Sequence, residues 1–61
     1  MKLFHYYSYQ ASRAEKACDY AQAATLWAKA ALFSEQAINK EWSLWRKAFC
    51  EKKQKMIASL T

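Results

Sequence analysis

The chain has 61 residues, 54% of them hydrophobic, and a net charge of +5. That length is a single domain, and that hydrophobic share excludes intrinsic disorder. Gly and Pro are both absent. The positive-φ turns of β-hairpins and phosphate-cradling loops therefore lack their usual residue, which excludes Walker and Rossmann nucleotide sites and argues against an all-β fold. Twelve Ala favour helix instead. Ordering this chain costs roughly 90 kcal/mol at about 1.5 kcal/mol per residue, which one thin core barely offsets. A staple or a partner is expected.

The periodicity predicts an all-α domain over residues 1–61, with helices at about 3–17, 20–35 and 40–58. In the first, Phe4, Tyr7, Ala11, Ala14 and Cys18 recur at alternating steps of three and four and form one stripe. Leu3, Tyr6 and Tyr9 fall outside it and are expected at the surface. Asp19, followed three residues later by Gln22, reads as a capping box opening the second helix. That helix carries Ala23, Trp27 and Ala30 on one face and Leu26, Ala30 and Phe33 on a neighbouring one, so it should lie between two partners. Leu32 belongs to its outer side.

Asn39 is a candidate N-cap for the third helix, with Glu41 in its first turn where the dipole favours an anion. Trp42, Trp45 and Phe49 are expected as its inward stripe. The stripe is interrupted at Lys52 and Lys53 and resumes at Met56, Ile57 and Leu60. The predicted core is thus Tyr7, Ala11, Ala14, Ala23, Leu26, Trp27, Ala30, Phe33, Trp42, Trp45 and Phe49. The first two helices resemble one tetratricopeptide hairpin, with Tyr7-x2-Gln10-Ala11-x2-Ala14 in the first part and Ala23-x3-Trp27 in the second. One such repeat cannot bury its own face, and the third helix is the natural cover.

No chemistry-bearing constellation emerges. The lone His5 sits near the N-terminus, no two carboxylates are spaced for acid–base work, and two distant Cys with one His do not make a metal site. No enzyme activity, cofactor or metal is expected. The start, Met1-Lys2-Leu3-Phe4-His5, lacks the apolar run of a secretory signal, so Cys18 and Cys50 are expected as free thiols in a reducing cytoplasm. No apolar run reaches the roughly 18 residues of a membrane span. Charge is uneven: residues 46–61 carry Arg46, Lys47, Lys52, Lys53 and Lys55 against Glu51 alone. This end could steer an acidic partner. Specific DNA binding is disfavoured, because no helix-turn-helix is visible and eight of the ten cations are Lys.

Two segments resemble a known family. One is Ala14-Glu15-Lys16-Ala17-Cys18-Asp19-Tyr20-Ala21-Gln22-Ala23-Ala24-Thr25-Leu26-Trp27-Ala28-Lys29-Ala30-Ala31, a hairpin corner followed by an A-x-x-W-x-x-A-A run. The other is Asn39-Lys40-Glu41-Trp42-x3-Arg46-x2-Phe49-Cys50, a pattern that no helical repeat demands. Together they resemble the small bacterial AraC negative regulators over residues 11–53, departing at Cys18 where the family usually has Gly. The resemblance implies direct binding to an AraC/XylS-type transcription activator associated with virulence genes. It further implies impaired dimerisation or DNA binding of that activator, repression of its target genes, and self-association as a dimer or higher homo-oligomer. Candidate contacts are Leu3, Tyr6, Tyr9, Leu32, Met56, Ile57 and Leu60, with Arg46, Lys47, Lys52 and Lys53 facing acidic groups. The competing readings are a small DNA- or nucleoid-associated protein and a tetratricopeptide-like adaptor that holds a linear peptide.

Overall fold

The computed structural model describes residues 2–60 and contains three α-helices: α1 (Leu3–Lys16), α2 (Tyr20–Leu32) and α3 (Ala37–Leu60). The expected all-α, three-helix domain is observed. α2 lies between the other two and packs against both, while α1 and α3 scarcely meet. The result is an open array measuring 38 × 18 × 12 Å.

The turn between α1 and α2 is built as the capping rules require at both of its ends. The Asp19 N–H donates to the Ala14 carbonyl at 2.8 Å, and the Cys18 N–H donates to the Glu15 carbonyl at 2.9 Å. This 6→1 and 5→2 pair is a Schellman closure of α1. It places Cys18 at φ 61°, the left-handed region that favours glycine. Cys18 is exposed rather than part of the α1 stripe. Cys18→Gly should therefore raise stability by about 1 kcal/mol by removing the Cβ clash. Chemical denaturation of the two proteins would check this. On the other side, the Asp19 carboxylate accepts the Gln22 N–H at 3.3 Å and caps α2, as its spacing predicts.

Two boundaries differ from expectation. α2 ends at Leu32, with Phe33 as its C-cap: the Phe33 N–H donates to the Lys29 carbonyl at 3.1 Å and the ring stacks on Tyr7 at 5.6 Å between centroids. α3 begins at Ala37, so Asn39 lies inside the helix and Glu41 lies beyond its first turn. The cap position is held by Gln36, whose carbonyl accepts the Lys40 N–H at 3.0 Å, while the Asn39 amide donates to the Gln36 side chain at 3.4 Å.

The core is built from small side chains. Ala11, Ala23, Ala30, Ser43 and Cys50 are fully buried, and Ala24, Ala31 and Trp27 nearly so. On α2 the buried alanines form two pairs seven residues apart, Ala23/Ala30 and Ala24/Ala31, on adjacent faces. The groove between α2 and α3 is lined by Ala21, Ala24 and Ala28 on one side and Lys47, Glu51 and Gln54 on the other. The Ala24/Ala31 face is thus the one turned to α3. From α3 the buried residues are Ser43 and Cys50, again seven apart. Small residues on both sides of the seam let the two helices approach closely. Tyr7, Ala14 and Leu26 border this core, as expected.

Four predicted core residues lie elsewhere. Trp42 is 47% exposed, Trp45 67%, Phe49 39% and Phe33 41%, against 5% for Trp27. The α3 stripe expected to face inward is displaced from the seam by about a third of a turn, at roughly 100° per residue. Ser43 and Cys50 take its place. The Ser43 hydroxyl has no hydrogen-bond partner among the described residues.

Candidate interaction surfaces

The central polar feature joins all three helices. Glu15 of α1 accepts the indole N–H of Trp27 (α2) at 2.6 Å and is paired with the Arg46 guanidinium of α3 through both of its oxygens. Glu15 and Arg46 are mostly shielded from water, so the pair is screened little and each charge depends on the other. The Arg46 guanidinium lies over the Phe49 ring at 4.4 Å and reaches the Trp42 ring at 5.9 Å. The two segments that carry the family resemblance therefore meet in space through Glu15, Trp27, Arg46 and Phe49.

Two of the expected contact cations have partners within the chain. Arg46 is an internal tie, not a free surface cation. Lys47 is also engaged, with Glu51 one turn further on at 3.1 Å. Lys53 lies over the Phe49 ring at 5.8 Å, and Lys52 is exposed.

Cys50 sits beside this network and is fully buried. Burial, reinforced by the nearby Glu15 carboxylate, pushes its thiol up to about 11. A folded-state pKa above the unfolded value makes the unfolded chain the first to lose this proton. Stability should therefore fall as pH rises from about 9 through about 11. In the native protein at pH 8, a thiol reagent should modify Cys18 and leave Cys50 intact until denaturant is added. Mass spectrometry of the labelled chain reads this directly.

Outside the core the surface carries the bulky side chains. Ile38, Trp42, Trp45, Phe49, Met56 and Leu60 are all exposed on α3. With Lys53 they recur at steps of four, three, four, four, three and four, and so occupy one strip about 80° wide at 100° per residue. Trp42 and Trp45 meet edge to face at 5.6 Å. Ile57 is exposed beside this strip. A second face lies on α1, where Leu3, Tyr6 and Tyr9 are exposed as expected. The Arg13 guanidinium covers the Tyr9 ring at 5.8 Å. A cleft between the start of α1 and the α2–α3 turn is lined by Leu3, Phe4, Phe33 and Asn39. Leu32 is exposed on the back of α2. Trp42, Trp45 and Phe49 are the part of this strip expected to face inward, whereas Met56 and Leu60 are exposed as expected of contact residues. The strip's apolar period was legible, but the side on which those three lie was not.

Among the described residues there is no group of three or more His, Cys, Asp or Glu placed to hold a metal ion. No helix of the described residues is long and apolar enough to cross a membrane. Comparison of the chain with protein-family models, with curated proteins and with solved structures gave no match.

Proposed function

We propose that this protein is a cytoplasmic negative regulator of transcription that binds an AraC/XylS-type activator and weakens its dimerisation or its hold on DNA. The observation that supports this reading is the inversion of residue size between inside and outside. The core uses Ala, Ser and Cys, while Trp42, Trp45, Tyr6, Tyr9 and Leu3 stand at the surface. Exposed aromatic side chains on a small domain are the material of protein–protein hot spots. The resemblance to AraC negative regulators names the class of partner. The convergence of its two segments on the Glu15–Trp27–Arg46 tie gives that motif a structural reason.

On this reading the activator meets the face formed by Leu3, Tyr6 and Tyr9, with the cleft beside Leu3 receiving an apolar side chain. The α3 strip serves self-association. A direct DNA-binding role is weaker on the same geometry. Of the five cations after residue 45, Arg46 and Lys47 are paired with Glu15 and Glu51. In that segment Lys52, Lys53 and Lys55 remain to release counterions from phosphate.

The test is light scattering after size exclusion, on the chain alone and mixed with an AraC-type activator from the same genome. A co-eluting complex of defined mass is expected. The variants Tyr6→Ala and Leu3→Asp should each weaken it at least tenfold while leaving the helical circular dichroism unchanged. Separate elution of the two proteins would overturn the proposal. Salt-sensitive binding to duplex DNA without an activator would favour the nucleoid reading.

A further inference from the structure

We infer that the exposed strip of α3 docks on the same strip of a second copy, with the two helices antiparallel and Phe49 on the two-fold axis. The inference rests on the self-association in the proposed function and supplies its surface, orientation and register.

The first observation is the spacing. Read outwards from Phe49, the strip steps four, three and four residues in each direction. It is therefore palindromic, and an antiparallel partner meets it position for position. Ile38 then faces the partner's Leu60, Trp42 faces the partner's Met56, Trp45 faces the partner's Lys53, and Phe49 faces itself.

The second observation is that each of these pairs is chemically matched. Ile38 and Leu60 are both aliphatic. A thioether against an indole is favourable, as is an ammonium over an indole face. Lys53 is the one charge in the strip, and it decides the orientation. A parallel pair would place two Lys53 ammonium groups against each other in an apolar seam. A one-place shift of the antiparallel register would set Lys53 against Trp42 or Phe49 and leave one end of the strip, Leu60 or Ile38, without a partner. The antiparallel register centred on Phe49 is the one that pairs every position of the strip while bringing Lys53 to an indole, that of Trp45. A single polar residue in an apolar seam is a known device for fixing helix register.

The third observation is area and length. At roughly 200 Å² per large side chain, the exposed parts of the six apolar strip residues amount to about 700 Å² per copy. That approaches the roughly 800 Å² per partner of a standard stable interface. Moreover, α3 is 24 residues long against 13 for α2. Its final turns run past Cys50 with every residue but Lys53 exposed. A helix end with Met56 and Leu60 open to water gains little from propensity alone, and an antiparallel partner would cover it.

The experiment uses the full chain without any activator, so it is independent of activator binding. Sedimentation equilibrium should give twice the chain mass. Trp45→Lys should weaken the dimer at least tenfold by opposing the partner's Lys53, whereas Trp45→Glu should leave it dimeric. Adding Lys53→Glu to Trp45→Lys should restore it. Trp45 is exposed, so these changes should preserve the helical circular dichroism. For orientation, Ile38→Cys and Leu60→Cys are made separately in a Cys18→Ser background. Under mild oxidation the mixture should cross-link into a heterodimer, and neither variant alone should do so. A monomeric wild-type chain would overturn both the self-association and this interface. A dimer whose mass ignores the Trp45 charge would overturn this interface alone. Self-cross-linking of each cysteine variant would overturn the antiparallel orientation, and loss of the dimer only on mutating Tyr6 would move the contact to α1.

Discussion

Trp27→Ala is expected to unfold the domain. Trp27 is the one large side chain among the described residues that the fold encloses, and it clusters with Ala11, Ala23 and Ala30 in the middle of the array. Its removal leaves a cavity in a buried cluster otherwise made of alanines and Cys50, whose short side chains cannot extend to fill it. Trp-to-Ala changes at such sites cost about 3–5 kcal/mol. A domain of this size has a total stability of about 3–5 kcal/mol, so the loss consumes it. The same change also leaves Glu15 without the indole N–H it accepts at 2.6 Å. The contrast is Trp42→Ala. Its ring is nearly half exposed and covers no cavity, so the cost should stay near 1 kcal/mol. Thermal melts of the two variants followed by circular dichroism separate them. If Trp42→Ala proved the more damaging of the two, the displacement of the α3 stripe from the seam would be refuted.

Glu15→Ala comes next in size. It leaves the Arg46 guanidinium without its counter-ion and the Trp27 N–H without its acceptor at the point where the three helices meet. Breaking a fully buried pair from one side costs about 3–5 kcal/mol. Arg46 retains some contact with water, which lowers the figure here to about 2 kcal/mol. Glu15→Gln should recover part of the loss, since an amide oxygen still accepts from the indole. In a double-mutant cycle with Arg46→Met, the two changes should be strongly non-additive. Urea denaturation of the four proteins measures the coupling. Additive losses would mean that the pair does not tie α1 to α3.

Much of this protein is legible from local rules. Three helices follow from the absence of Gly and Pro and from apolar steps of three and four. The α1–α2 corner follows from Asp19 and the residues around it. The position of α2 in the middle follows from its two apolar faces, and the exposure of Leu3, Tyr6, Tyr9 and Leu32 follows from their places off the core stripes. The identity of the candidate surface on α3 does not follow in this way. Apolar periodicity ranks Trp42, Trp45 and Phe49 above every other residue of that helix, and it cannot know that the facing side of α2 is paved with alanine.

A strip of alanines is best matched by a partner that comes close. Ser43 and Cys50 permit that approach, and a tryptophan at either position would hold the helices apart. The Glu15–Arg46 tie spans 31 residues of sequence, and nothing at helical spacing announces it. The sequence by itself determined the helices, their order and which residues are apolar. The tertiary structure decided which apolar residues are used internally, because close packing selects side chains by shape and volume, whereas a sequence pattern records only their polarity.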